Sequence, residues 1–211
     1  TSIVIFPLVQ ARPLPEPQGI FDLAVFLLSD VTIGLGIAYI TRLIFAAVQI
    51  AGTVVDFQMG FGVVNVIDPQ TDTQVSVTAQ FHNIVAVLIF LAVDAHHFIL
   101  QAIVESFFII NPAEINFSSL TPEYMLYLFS GTFTTAVKIA APIMAILFFL
   151  SVGLGLVART VPQMNVFIVG FPLQIGVGLL MVGLSLSFFS VLVQQQMYDL
   201  PGKFMGFLWA L

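Results

Sequence analysis

Residues 82–110 read HNIVAVLIFLAVDAHHFILQAIVESFFII, an apolar run that is interrupted at Asp94-Ala95-His96-His97. A helix needs roughly 20 apolar residues to cross a bilayer, and each part of this run has only about 12. The stretch therefore predicts two half-helices, and we expect the polar break between them to be a hairpin tip that reaches water. The alternative is a proton relay, because ionisable groups inside a membrane are costly unless they are paired or hydrated.

The composition of the whole chain agrees with a membrane location. Of 211 residues, 59% are hydrophobic and 8% are charged, and the mean hydropathy is +1.09. Soluble domains carry about 25% charged residues, so the sequence indicates an integral membrane protein. Sustained polar–apolar alternation is lacking, so we expect an all-α membrane protein with broken helices. The net charge of −6 argues against a nucleic-acid partner, which would require clustered basic residues.

Three further apolar runs lie around the first, at Ile20–Ala51, Tyr124–Ala158 and Val166–Val193. The run from Ile20 is interrupted by Ser29-Asp30, so we expect one long kinked helix or two helical pieces. Residues Tyr198–Leu211 form a short tail of mixed character. Residues Gly60–Gln80 lie between the run that ends at Ala51 and the run that begins at His82, and they form a polar loop that also carries apolar residues. Composition alone favours a surface connector over a re-entrant plug, because irregular backbone at membrane depth needs a protein or aqueous surrounding.

Isolated charges inside the apolar runs are the remaining candidates for function. A buried lysine needs a carboxylate or carbonyl partner, so we expect Lys138 to form a local structural pair. Its candidate partners are Asp56, Asp94 and Glu105, or a group on a partner subunit. Broken helices with charges also occur in secondary transporters. A proton-coupled transporter is therefore the alternative function, and it would use Asp94, His96, Glu105 and Lys138.

Catalytic and metal-binding patterns are weak in this sequence. His96 and His97 are adjacent, so we expect their rings to point in different directions on a helix and to share no metal. The sequence contains no P-loop, no dinucleotide-binding glycine pattern, no His-Glu-x-x-His and no Gly-x-Ser-x-Gly. We therefore predict neither an enzyme nor a cofactor.

Two stretches resemble the FliR family, the export-gate subunits of flagellar type III secretion. The first is AGTVVDFQMGFG at Ala51–Gly62, followed by Ile67-Asp68-Pro69. The second is RTVPQMNVF at Arg159–Phe167, followed by Gly170-Phe171-Pro172. Each block alone is weak, but their joint order and spacing are specific.

Two departures from the family pattern accompany this resemblance. The family usually has Asn-Gly-His where this chain has Asp94-Ala95-His96. From the same comparison we expect that the N-terminal hydrophobic segment of the family is largely missing before Thr1. We expect residues 1–211 to form a single helical export-gate domain.

The resemblance implies a structural pore subunit with no enzymatic turnover. Such a subunit lies in the bacterial inner membrane, at the flagellar basal body, as one copy among several copies of FliP and FliQ. FlhB wraps this complex, and unfolded flagellar proteins pass through its centre. The resemblance also implies tilted helical hairpins that pack into a spiral hetero-oligomeric pore.

The resemblance changes the prediction for residues 60–80, which become a plug-like loop in the closed pore. The apolar side chains expected to seal the pore are Met59, Phe61, Val63, Val64, Val66 and Ile67. The Arg159–Asn165 link is expected to form a tight turn between two packed helices. The polar or buried charged residues expected to have structural roles are Asp56, Asp94, Glu105, Lys138, Arg159, Gln163 and Asn165.

Overall fold

Helices account for the regular structure of the residues that the structure describes. The structure is a computed structural model that describes residues 19–61, 76–110, 120–161, 163 and 165–211. The helices are α1 (Ile20–Met59), α2 (Val77–Ala92), α3 (Ala95–Ile109), α4 (Leu120–Thr160), α5 (Val166–Leu184), α6 (Leu186–Tyr198) and α7 (Leu200–Ala210). The described residues contain no strand. The predicted all-α membrane fold is confirmed.

Within the described ranges, two helices are long and apolar enough to cross a membrane by themselves. Helix α1 has 40 residues and α4 has 41, and both carry an apolar window of sufficient length. The polar pair Ser29-Asp30 does not interrupt α1, because the hydroxyl of Ser29 donates to the carbonyl oxygen of Val25 at 2.8 Å within the helix. The apolar run from Ile20 is therefore one helix, and it continues beyond Ala51 to Met59.

The other five helices of the described residues form two bent arrangements, one of α2 with α3 and one of α5 with the segment that contains α6 and α7. Helices α2 and α3 are bent by 65° at a break beside Asp94, so the predicted break is confirmed. A bend of 65° is not a chain reversal, so the prediction of a hairpin tip at this point is wrong. The run from Val166 is also broken, with a bend of 54° after Leu184. The tail predicted as mixed forms helix α7, in which Pro201 lies in the first turn, where its missing N–H costs little.

Chain reversals occur instead at two other connections. Helices α1 and α2 are antiparallel neighbours, because Gly52 of α1 lies against the backbone of Ala79 of α2. Helices α4 and α5 are also neighbours, since the side-chain amide of Gln174 donates to the hydroxyl of Ser151 at 3.1 Å. The link after Arg159 therefore joins two packed helices, as the sequence predicted.

The described residues divide into two compact units. The first unit combines α1 as far as Ile44 with residues 90–131 and 195–211. Helix α3 contacts α7 in this unit, and the ring of Phe207 fills the space beside Gly36. The hydroxyl of Tyr124 donates to the carbonyl oxygen of Lys203 at 3.1 Å. These contacts hold α7 inside the first unit.

The second unit consists of residues 45–89 and 132–194. Its core contains Val48, Val55 and Met59 of α1, each at most 1% exposed. Large apolar side chains also remain exposed on the single chain, among them Phe148 and Phe149 of α4. Such surfaces suit contact with lipid or with helices of other subunits.

Candidate functional site

The connection between α1 and α2 begins and ends at a buried carboxylate. Asp56, in the last turn of α1, is 5% exposed. Its oxygens accept hydrogen bonds from the hydroxyl of Ser76 and from the backbone N–H of Thr78, the latter at 3.1 Å to Oδ2. The Ser76 hydroxyl also accepts from the N–H of Ala79 at 3.0 Å and so caps α2. Asp56 therefore ties the last turn of α1 to the first turn of α2.

Helix α1 ends in a Schellman motif. The N–H of Gly60 donates to the carbonyl oxygen of Phe57 at 3.2 Å, and the N–H of Phe61 donates to that of Asp56 at 3.1 Å. Gly60 has a φ of 93°, which glycine adopts at little cost. A Cβ at Gly60 would also lie 2.7 Å from the ring of Phe171. The helix end therefore requires glycine for both its backbone angle and its packing.

Close packing on both sides completes this arrangement. A Cβ at Gly52 would lie 2.6 Å from the backbone nitrogen of Ala79. On the other side, the fully buried side chain of Met59 occupies the space beside Gly178 of α5. We call the residues that hold the two ends of the α1–α2 connection the loop base, which consists of Gly52, Asp56, Met59, Gly60, Ser76, Thr78 and Ala79.

The loop base covers only part of the predicted plug. Met59 is 0% exposed inside the second unit, and Phe61 is half-buried. Residues 77–80 belong to α2, so the connection ends earlier than the predicted loop. The other residues predicted for the seal lie outside the described residues, and they are Val63, Val64, Val66 and Ile67. A plug role for this segment stays a prediction.

His82 is a buried polar residue that the sequence analysis did not select. It is 2% exposed, and its Nδ1 lies 2.8 Å from the carbonyl oxygen of Thr78. Its ring meets that of Phe189 edge to face, with centroids 4.8 Å apart. The available signal was its spacing of four residues from Thr78, which places the imidazole over a carbonyl of the first turn. His82 supports the packing of α2 directly after the loop base.

The break between α2 and α3 places three polar side chains close together. Asp94 has a φ of 55° and a ψ of 28°, the left-handed region, and its side chain makes no capping bond. Its Oδ1 lies 4.0 Å from Nε2 of His96 and 3.8 Å from Nδ1 of His97. We call Asp94, His96 and His97 the helix break.

The expectation that the two histidine rings diverge is wrong. Their centroids are 4.2 Å apart. Both residues lie in the first turn of α3. No preceding turn of that helix restricts their rotamers, so both side chains can lean toward Asp94.

The other charges in the apolar runs have simpler surroundings. Glu105 is half-buried and accepts a hydrogen bond from the side-chain amide of Gln101 at 2.8 Å. Lys138 is exposed on α4. The ion pairs of the described residues do not include Lys138, so the expected buried pair is not found there. Arg159 is exposed in the last turn of α4. A cation at this position interacts favourably with the negative end of the helix dipole.

The link after α4 exposes its polar residues. Gln163 and Asn165 are both exposed. The carbonyl oxygen of Asn165 accepts a hydrogen bond from the N–H of Ile168 at 3.1 Å at the start of α5. The backbone of Asn165 therefore contributes to the start of α5.

The chain is similar to bacterial export proteins. Residues 1–200 match the family described as "Bacterial export proteins, family 1". The chain is 39% identical to the flagellar biosynthetic protein FliR of Bacillus subtilis (strain 168) over 197 residues, which are 92% of this chain and 75% of that protein.

Two further relatives agree with this match. FliR of Aquifex aeolicus (strain VF5) is 33% identical over 94% of this chain and 76% of its own length. The Yop proteins translocation protein T of Yersinia pestis is 26% identical over 86% of this chain and 70% of its own length. The resemblance found in the sequence blocks is confirmed, and this chain belongs to the FliR family of bacterial export proteins.

Proposed function

We propose that this chain is a structural, non-enzymatic pore subunit of a flagellar type III export gate. In this proposal the gate lies in the bacterial inner membrane, and unfolded flagellar proteins cross through it. The printed names of the relatives support an export role, since one is a flagellar biosynthetic protein and another is a translocation protein.

The observation that carries the proposal is the loop base. A buried carboxylate costs several kcal/mol unless its hydrogen bonds compensate the lost hydration, and a simple surface connector does not need one. Asp56 holds both ends of the connection, through Ser76 and Thr78. A segment that closes a pore must be held at its ends while its middle yields to a passing chain. The loop base meets the first of these requirements.

Helix length supports an assembly of several subunits. At 1.5 Å per residue, α1 and α4 are each about 60 Å long, whereas the hydrocarbon core of a bilayer is about 30 Å thick. Large parts of both helices therefore need protein neighbours or water. We propose FliP and FliQ homologues as the neighbours in the pore complex and an FlhB homologue around it.

The first test is native mass spectrometry of the full chain co-expressed with FliP and FliQ homologues and extracted in mild detergent. We expect a discrete hetero-oligomer that contains one copy of this chain. A stable monomer or homo-oligomer that ignores both partners would contradict the proposal. That result would direct attention to the transporter alternative, in which the chain alone moves a small solute and loses this activity when Asp94 is neutralised.

The second test addresses the plug. Deletion of residues 63–74 should leave the hetero-oligomer intact and make the membrane leaky to ions, because the apolar seal is removed. A matched variant keeps the length and the apolar residues but changes the polar side chains Thr71, Thr73 and Gln74 to serine. Membranes that contain this variant should stay impermeable to ions. The readout is ion permeability of cells or proteoliposomes that contain the assembled complex. Unchanged permeability in an assembled deletion variant would refute the plug.

The surroundings of the charged residues that the structure describes give the transporter alternative little support. Asp94 and His96 are close together, but Glu105 is bonded to Gln101 and Lys138 is exposed. We therefore favour the pore subunit.

A further inference from the structure

We propose that the helix break is a binding site for a divalent transition-metal ion, with Zn²⁺ as the best match. One ligand atom from each of Asp94, His96 and His97 lies within 4.8 Å of the other two. The proposal rests on this cluster and its backbone geometry, and it is independent of the proposed pore function.

The backbone at Asp94 leaves its carboxylate available. A residue that begins a helix usually uses its side-chain oxygen to cap the first free N–H groups. Asp94 occupies that position with no side-chain capping bond, although its carbonyl oxygen accepts from the N–H of His97 at 2.9 Å. Its left-handed conformation is uncommon for a residue other than glycine. The carboxylate is therefore free to face the two imidazoles.

Each imidazole has one nitrogen directed toward the same region. Nε2 of His96 and Nδ1 of His97 are the atoms closest to Oδ1 of Asp94. The Nδ1 atom of His96 is buried, so only Nε2 of that ring can reach an ion from solvent. Two imidazoles and one carboxylate thus supply three different ligand atoms to one position.

The donor set selects the class of metal. Imidazole nitrogen suits Zn²⁺, Cu²⁺ and Ni²⁺, whereas Mg²⁺ and Ca²⁺ prefer oxygen ligands alone. Three protein ligands leave one position of a tetrahedral zinc site for water or for a group on another subunit. The net charge of a Zn²⁺ ion with this single carboxylate is +1, which an exposed location can accommodate.

The distances require only a small contraction. Zinc–ligand bonds of about 2.1 Å place tetrahedral ligand atoms about 3.4 Å apart, so the widest separation in the cluster must shrink by about 1.4 Å. Side-chain exposure is 71% for Asp94, 41% for His96 and 65% for His97. These side chains can change rotamer with little loss of packing.

The test uses the full chain in mild detergent, purified with a tag that lacks histidine and stripped of metal with a chelator. Titration calorimetry with ZnCl₂ should show one site per chain. Each of the variants Asp94→Asn, His96→Ala and His97→Ala should weaken binding by at least about tenfold, the scale on which even outer-shell partners act. Asparagine tolerates the left-handed conformation, so Asp94→Asn tests the ligand without disturbing the bend.

Two controls make the result decisive. Glu105→Gln removes a carboxylate that lies farther along α3 and should leave Zn²⁺ affinity unchanged. With Cu²⁺ as the probe, electron spin-echo spectroscopy should count two imidazoles in the wild type and one in either single histidine variant. The chain has three histidines in total, and His82 is buried. The proposal would be overturned if the wild-type chain bound no Zn²⁺. It would also be overturned if the His96→Ala/His97→Ala double variant bound Zn²⁺ with the affinity of the wild type.

Discussion

The loop base and the helix break each contain one aspartate at the end of a helix, in opposite surroundings. Asp56 is 5% exposed and accepts hydrogen bonds from Ser76 and Thr78. The side chain of Asp94 is 71% exposed and lies beside two imidazoles without a capping bond. The same functional group therefore stabilises the fold in one region and is free to bind a ligand in the other.

The difference shows how burial decides the role of a charge in an apolar chain. A buried carboxylate must have its hydrogen bonds satisfied within the protein, so its partners are fixed and its removal is costly. A carboxylate at the surface of the folded chain has no buried partner that would be left unsatisfied, so it contributes little to stability and remains available to bind an ion. Substitutions at the two sites should therefore affect stability very differently.

The largest effect is expected for Asp56→Ala. This change leaves the N–H of Thr78 and the hydroxyl of Ser76 without their acceptor, and each buried polar group left unsatisfied costs about 1–3 kcal/mol. Thermal unfolding of the detergent-solubilised chain should show a large drop in Tm. Asp56→Asn keeps one acceptor oxygen and should lose about half as much. A Tm for Asp56→Ala equal to that of the wild type would remove the distinction between the two regions.

The second largest effect is expected for Gly52→Ala. The added methyl group would overlap the backbone of Ala79, which cannot move aside as a flexible side chain could. Overpacking of this kind costs about 1–3 kcal/mol. The matched control is Gly34→Ala in the same helix, where nothing lies within 4 Å of the new methyl group. That variant should gain up to about 1 kcal/mol from helix propensity, so the two alanines should shift Tm in opposite directions.

An intermediate effect is expected for Gly60→Ala. An L-residue at a φ of 93° is strained, and left-handed backbone costs about 1–2 kcal/mol. Gly178→Ala is the control for packing alone, because Gly178 lies in a helix and its methyl group would overlap the Cγ and Sδ atoms of Met59, an unbranched and adaptable side chain, whereas Gly60→Ala adds backbone strain to its overlap with the ring of Phe171. Thermal unfolding should show a clear loss for Gly60→Ala and a smaller one for Gly178→Ala. Equal losses would mean that packing, and not the backbone angle, controls the end of α1.

Much of this fold could be predicted from hydropathy, since apolar length and the polar break at Asp94 are properties of the linear sequence. The bend angle could not, because it depends on how the backbone turns at one residue. A left-handed Asp94 followed at once by α3 gives 65°, where the sequence suggested a reversal. The helical α7 was missed because its 11 residues, containing Pro201 and Gly202, have weak intrinsic helix propensity. Packing against α3 stabilises it instead.

The loop base illustrates the same limit for sites. Asp56 could be selected because a carboxylate stands out in an apolar helix. Its partners Ser76 and Thr78 lie 20 and 22 residues away, and ordinary polar residues at a helix start give no signal of a long-range contact. His82 was overlooked for a related reason, since a single histidine at the edge of an apolar run has no pattern of its own. Chemistry-bearing residues are visible in a sequence, whereas their partners become visible only in the fold.

The smallest effect on stability is expected at the helix break, for Asp94→Asn. Asparagine adopts left-handed backbone about as readily as aspartate, and an exposed side chain without a capping bond has no buried partner to lose. The free energy of unfolding without metal should therefore change by less than about 0.5 kcal/mol. In the presence of excess ZnCl₂, the wild type should gain Tm by mass action, whereas Asp94→Asn should gain less. A large Tm loss for Asp94→Asn without metal would show that Asp94 is a structural group like Asp56, and the contrast between the two aspartates would fail.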